Sequence, residues 1–377
     1  MIFKASLVWS VLALAATALP SALHISNKQP PPAYPIGQGK GSNAKVSGRV
    51  FNIVGKKGYF AGSNAWWLAH LSNNDDIDVA LSQVAKTQYK VLRVWGAELD
   101  RSYINFGPDG LQRLDYAVSS AEKHGVKLVL NFINNWNDYG GIKAYTTAFG
   151  ANATEWFTDA TSQKVYRNYI DILVNRYKKS TAIFAWELGN EPRCKGCPTS
   201  VITKWAADVS KYIKSLDPGH LVTLGDEGWF APGTALSGDD GSYAYSGGEG
   251  VDFVANLGIS TLDYGTFHLY PDSWGYEYPW GSDWIVQHDE VGKKSGKPVI
   301  LEEYGAPFPG NHTPIYKPWQ DAVVKSGVAA DQVWQFGTHD LGVPGESLGD
   351  VNSIYYNETE YKVLGFEHAA TLLKKKV

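Results

Sequence analysis

Cysteine is scarce, with two in 377 residues, and two thiolates cannot by themselves close a structural zinc site. A basic excess is missing too. Thirty-four Lys and Arg face 38 Asp and Glu, for a formal net charge of -4. That balance argues against nucleic acid or an anionic membrane surface as partner. There is no phosphate loop, no His-Glu-x-x-His helix and no Gly-x-Ser-x-Gly elbow. Gly37-x-Gly39-x-Gly41 has no strand before it, so it is not a dinucleotide loop. No repeat at solenoid spacing is visible, and the one long apolar run, Leu7 to Leu14, is too short to span a bilayer.

That run follows Lys4 and precedes Ala16-Thr17-Ala18, the order of a secretory signal peptide, so residues 1–18 are assigned to one. Residues 19–44, with Pro30-Pro31-Pro32 and many Gly, Gln and Lys, are expected to form a flexible leader or propeptide. In a secreted chain Cys194 and Cys197 form a structural disulfide that pins a loop; in a cytosolic one the same spacing would be a redox pair. Three sequons, at Asn152, Asn311 and Asn357, fit a secreted glycoprotein. No transmembrane segment, nucleic-acid partner, metal or organic cofactor is expected, and the protein is read as a monomer.

From residue 45 to 377 apolar strand-like runs alternate with helical patterns. The strands are expected at 59–64, 91–95, 127–133, 182–186, 221–224, 264–269, 298–301 and 333–336. Helices are expected at 75–87, 110–124, 162–177, 200–215 and 283–295, two of them stopped by Gly125 and Gly296. Eight such units imply one α/β domain, a closed (β/α)8 barrel of the TIM type; an open doubly wound sheet would show the same alternation. The 44% hydrophobic residues suffice for that core, and its packing accounts for many of the 14 Trp and 22 Tyr, while so many aromatics also supply rings for a surface. Exposed aromatic faces suit sugar rings.

The stretch that organises the chain is Trp186-Glu187-Leu188-Gly189-Asn190-Glu191-Pro192, where proline ends a buried strand. A second strand ends at Leu301-Glu302-Glu303-Tyr304-Gly305. Carboxylates at two strand ends on the carboxyl face of a barrel are the minimum for cleaving a glycoside. Other strand ends bring Arg93, Asn131, Asn190, Glu227, His268, Tyr270 and Trp334 to the same face. Glu302 competes with Glu303, but strand alternation turns it to the other side.

These residues resemble glycoside hydrolase family 5, and within it the secreted fungal endo-β-1,4-mannanases. The resemblance runs from about residue 45 to the end. Its motifs are Trp186 to Cys194, Thr223-Leu-Gly-Asp-Glu-Gly228, Gly265-Thr-Phe-His-Leu-Tyr-Pro-Asp-Ser-Trp-Gly275 and Glu302-Glu-Tyr-Gly305. It implies retaining double displacement on β-mannan, with Glu191 as acid/base and Glu303 as nucleophile. It surrounds the cleavage point with Arg93, Asn190, His268, Tyr270 and Trp334, and places Trp136, Arg193, Glu227 and Trp274 along the sugar groove. An endo-β-1,4-glucanase on the same barrel, or a non-catalytic wall-binding glycoprotein, stays open at this point.

Overall fold

The computed structural model describes residues 30–96, 107–137, 140–234, 236 and 238–377. The assignment of residues 1–18 to a signal peptide therefore lies outside the described residues. Three short antiparallel strands come first, β1 (Lys45–Ser47), β2 (Val50–Ile53) and β3 (Lys56–Gly58). Eight parallel strands follow: β4 (Phe60–Asn64), β5 (Val91–Trp95), β6 (Lys127–Asn131), β7 (Ile183–Glu187), β8 (Leu221–Thr223), β9 (Gly265–Leu269), β10 (Val299–Tyr304) and β11 (Ala330–Val333). They pair in the order β8-β7-β6-β5-β4-β11-β10-β9. The two ends of that order meet where Asp263 N donates to Val222 O and Thr223 Oγ1 to Tyr264 O, at 2.8 and 3.1 Å. The sheet is a barrel, and the open-sheet alternative is excluded.

The helices are α1 (Asn74–Thr87), α2 (Leu111–His124), α3 (Ile142–Phe149), α4 (Ala160–Tyr177), α5 (Ser200–Leu216), α6 (Phe253–Leu257), α7 (Pro271–Trp274), α8 (Trp280–Ser295), α9 (Thr313–Lys325), α10 (Thr359–Tyr361) and α11 (His368–Lys374). A π-helical turn, Lys362–Glu367, joins the last two, and a two-strand ladder, β12 (Phe336–Gly337) with β13 (Ile354–Tyr355), sits beyond β11. Local chemistry explains the ends. Asn73 caps α1 by accepting from Asp76 N, while α2 and α8 stop at Gly125 and Gly296, both at positive φ. None of the helices described is long and apolar enough to cross a membrane.

Two strands differ from expectation. The eighth is Ala330–Val333 rather than 333–336. Asp331 and Gln332 interrupt its apolar run, yet both are buried, and Asp331 turns outward to accept from His368 at 2.7 Å. The seventh runs on to Tyr304, because pairing with β9 continues to Tyr304 opposite Leu269.

The bottom of the barrel is apolar. Phe51, from the β1–β3 ribbon, meets Phe60, Phe184 and Tyr264 at 5.8, 5.1 and 5.3 Å between ring centroids. Ile300, Ala330, Val91, Val129 and Leu221 complete that plug. Burying a phenylalanine stabilises by about 1.5–3 kcal/mol, and here it closes one end, so that the carboxyl ends of the strands form the open face. The stretch expected to be a flexible leader makes specific bonds over its described part. Ala33 N donates to Asp115, the amides of Gly37, Gln38 and Gly39 donate to Glu122, and Arg176, paired with Asp115, donates to Pro30 O.

Candidate active site

Arg93, on β5 and fully buried, is the hub. Its Nε and Nη2 grip both oxygens of Glu187 at 2.7 and 2.6 Å, Nη2 also donates to Asn190 Oδ1 at 2.8 Å, and Nη1 donates to Glu303 and to Asn64. Register dictates this meeting. Arg93 pairs beside Val129 and Asn131 beside Glu187, so these residues sit at neighbouring heights on adjacent strands. Asn131 donates to Glu187, whose carboxyl burial pushes up to about 7 against the pull of Arg93.

Glu191 lies just past β7 with φ +51°, a left-handed backbone that a residue with a Cβ pays about 1–2 kcal/mol to adopt. Its amide donates to Gly225 O at 2.8 Å, and Gly225 has no room for a side chain, since a Cβ there would stand 2.1 Å from Gly189 O. The Glu191 carboxylate accepts from Trp136 Nε1 at 2.6 Å and contacts His268 Nδ1 at 2.8 Å. Glu303 accepts from Tyr270 OH at 2.7 Å and from Arg93, and its Oε2 lies 3.6 Å from the same His268 nitrogen. One oxygen each of Glu191 and Glu303, with a ring nitrogen of His268, fall within 4.8 Å of one another. Among the described residues this trio is spaced closely enough for a metal ion, but the Arg93 cation presses on the same space.

Electrostatics couple the trio. Burial disfavours the imidazolium of His268, yet the charge of Glu303 and the bonds to Glu191 and Glu302 hold its pKa well above the ordinary value. Burial raises Glu191, but His268, Arg193 and Trp136 outweigh it and the net direction is down. For Glu303 burial prevails over His268 and Arg93, with the charge of Glu191 adding to it, and the direction is up.

Glu302 does not point away from the site. The register against β9 slips between Leu301 and Glu303, so Glu302 is an extra residue in its strand and also turns inward. It is buried, with Oε2 3.5 Å from His268 Nε2 and 3.6 Å from Arg93 Nε. Only Glu303 of the two reaches the cleft surface.

The cleft above has a volume of about 770 Å³. Asn190, Glu191, Tyr270, Glu303, Trp136, Arg193, Glu227, Trp274 and Trp334, all singled out from sequence, line it. Arg193 donates to both oxygens of Glu227 at 2.7 Å, with its guanidinium 4.7 Å from the Trp136 ring and 4.5 Å from Trp229. Burial and the charge of Glu191 push Glu227 up to about 8 against Arg193. The two-oxygen grip nonetheless is that of an ion pair, and we take Glu227 as charged while Arg193 holds it. Gly141 makes the Trp136 loop possible, because a Cβ there would lie 1.7 Å from Trp136 O. Cys194 and Cys197 are joined just beyond Arg193, and Cys194 N donates to Glu249 O. Asn152, Asn311 and Asn357 are all exposed, Asn357 at φ +69°.

Sequence reasoning missed Glu187, Asn64, Trp95, Asn134, Tyr243 and Asn352. Glu187 was legible in principle: it stands at the same strand height as Asn131. Asn64 and Trp95 are the last residues of β4 and β5, and Asn134, Tyr243 and Asn352 lie outside the barrel strands, where no periodic pattern marks them.

Comparison with known proteins agrees with this geometry. A glycoside hydrolase family 5 β-mannosidase-like model matches residues 99–316. Over 347 residues the chain is 50% identical to mannan endo-1,4-β-mannosidase A of Aspergillus aculeatus, covering 87% of this chain and 90% of that protein. Its identity to mannan endo-1,4-β-mannosidase A of Hypocrea jecorina is 48% over 342 residues, 86% of this chain and 76% of the relative. The crystal structure of the endo-1,4-β-mannanase of Rhizomucor miehei superposes with a TM-score of 0.80 at 32% identity, over 89% of this chain and 100% of that one. With the barrel, the paired glutamates and these relatives in hand, the chain belongs to the β-mannosidase-like branch of glycoside hydrolase family 5.

Proposed function

We propose that this protein is a secreted endo-β-1,4-mannanase that hydrolyses internal bonds of mannan, glucomannan and galactomannan with retention of configuration. Glu303 is the nucleophile and Glu191 the acid/base. The observation that carries this reading is the carboxylate pair within 4.8 Å on the floor of an aromatic-lined cleft. Retaining glycosidases hold their carboxyl groups about 5–5.5 Å apart, whereas inverting ones leave about 6.5–9.5 Å for a water. The choice of mannan is supported by the relatives named mannan endo-1,4-β-mannosidase. Secretion is supported by Lys4 and the apolar run Leu7 to Leu14.

In the first step Glu303 attacks the anomeric carbon, the glycosidic bond breaks, and Glu191 gives its proton to the departing oxygen. In the second, Glu191 takes a proton from water, whose oxygen attacks the same carbon and releases Glu303. Arg93 and Tyr270 hold Glu303 from below and aim it. The site without sugar places negative charge on Glu191 and a proton on His268, the reverse of what a donor needs. The two groups share one 2.8 Å hydrogen bond, so moving a single proton along it yields a neutral acid at Glu191. The charges of Glu191 and Glu303 oppose each other; once Glu303 is esterified its charge is gone and Glu191 becomes the stronger acid, hence the base for the second step. Asn190 Oδ1 accepts from Arg93 and its Nδ2 gives one proton to Asn134, leaving one for the sugar hydroxyl next to the reacting carbon.

The deciding experiment compares initial rates on unbranched mannan, glucomannan and a soluble β-1,4-glucan. Rapid mannan and glucomannan cleavage with little on the glucan is expected. The opposite ranking makes the protein an endo-β-1,4-glucanase on the same barrel, and inactivity on all three leaves a non-catalytic wall-binding protein.

A further inference from the structure

Trp334 presents a half-buried indole to the cleft beside Glu303, and packing alone does not fix it. The ring lines the cleft and is tilted by 41° against Trp95, 6.2 Å away between centroids. The terminal χ2 torsion of an indole is broad, so a tether on its edge sets the plane of the ring. The tether is Asp350, whose Oδ2 accepts from Trp334 Nε1 at 2.8 Å.

Asp350 is itself fixed. Its Oδ1 accepts from Asn352 N at 2.9 Å and from Ser353 Oγ at 3.2 Å, and its amide donates to Ser353 Oγ. The same loop is nailed to the start of α9, where His312 Nε2 meets Val351 O at 2.9 Å and Tyr316 OH donates to Asn352 O at 3.0 Å. The two oxygens of Asp350 are thus used differently, Oδ1 shaping the loop and Oδ2 holding the indole. Asn352, two residues on, lines the cleft.

We propose that Asp350 is a positioning residue for the hydrolysis, setting the plane of Trp334 at the cleavage point through the indole N–H. This rests on the reading of the cleft as a β-mannan site.

A double-mutant cycle tests it with Asp350→Ala, Asp350→Asn, Trp334→Phe and the Asp350→Ala/Trp334→Phe pair, assayed for kcat and KM with melting temperatures alongside. Phenylalanine keeps an aromatic floor but has no N–H. Asp350→Ala is expected to lower kcat about tenfold, the size of one charge-assisted hydrogen bond, with KM nearly unchanged. Asp350→Asn, which keeps an acceptor, regains most of the loss. In the Trp334→Phe background Asp350→Ala costs less than about twofold. An equal loss from Asp350→Ala in both backgrounds, or a loss that follows the melting temperature and is not rescued by Asn, overturns the proposal. The cycle is run on whichever polymer the parent cleaves fastest. A glucan preference overturns the mannan reading alone, and additivity overturns the Asp350 role alone.

Discussion

A single ring nitrogen serves both acids of the site: His268 Nδ1 lies 2.8 Å from Glu191 Oε1 and 3.6 Å from Glu303 Oε2. Its charge lowers the pKa of each. Removing it in His268→Ala raises both, so the two limbs of the pH profile of kcat/KM should move to higher pH together, while kcat falls. A profile that keeps both limbs in place would show that His268 is not the shared counter-charge.

The two glutamates are separable by leaving group. Glu303→Ala removes the nucleophile and should lose several orders of magnitude on every substrate. Glu191→Ala should lose as much on plain polymer, yet recover on aryl β-mannosides whose leaving group needs no proton. Unchanged polymer cleavage by Glu303→Ala would sink the assignment of the nucleophile, and equal losses of Glu191→Ala on both substrate types would sink that of the acid.

How much of the fold is readable from sequence follows from periodicity. Six strands fall near their expected places because each is a short continuous apolar run between a helix stop and a polar strand end. The eighth is displaced by three residues because Asp331 and Gln332 look like loop, whereas a buried partner, His368, arrives from the far end of the chain. Glu302 faces inward against expectation because alternation assumes an unbroken ladder, and a one-residue bulge depends on pairing with β9 that no local pattern reports. Asp350, sixteen residues beyond the tryptophan it holds, has no signal of its own.

Tyr270 donates to Glu303 at 2.7 Å, and this bond favours the ionised carboxylate. Tyr270→Phe deletes the donor and keeps the ring. Because the Glu303 pKa then rises, the acidic limb of kcat/KM should move to higher pH, with the alkaline limb still and activity at neutral pH down by about ten- to a hundredfold. Movement of the alkaline limb instead would place the effect on Glu191.

Burial pushes the Asp226 carboxyl up to about 7, with the hydrogen bond from Asn256 only partly offsetting it. Its pKa in the fold therefore exceeds that of the unfolded chain. The contribution to stability is full below the ordinary carboxylate value and is lost as pH rises through about 7. Asp226→Asn cannot ionise. The melting temperature of the variant minus that of the parent should thus climb between pH 4 and 7, by an amount worth a few kcal/mol at most. A difference that stays level across that range would show Asp226 to be charged throughout.

Stability and chemistry occupy opposite ends of the barrel, which makes them independently adjustable. Phe51 closes the bottom through three aromatic contacts and touches none of the groups that line the cleft. Phe51→Ala leaves a cavity among Phe60, Phe184 and Tyr264, with an expected cost of about 3–5 kcal/mol. The ribbon that carries Phe51 has no other large buried ring to fill that space, so collapse cannot recover much of the loss. Arg93 and the two glutamates hang from the upper ends of the same strands and are fixed by the hydrogen bonds described above rather than by the plug. Denaturant unfolding should therefore shift by the full cavity cost, while kcat at a temperature well below the transition stays within about twofold of the parent. A matching loss of kcat in fully folded protein would mean that packing at the bottom is transmitted along the strands to the site, and that the two ends are not separable.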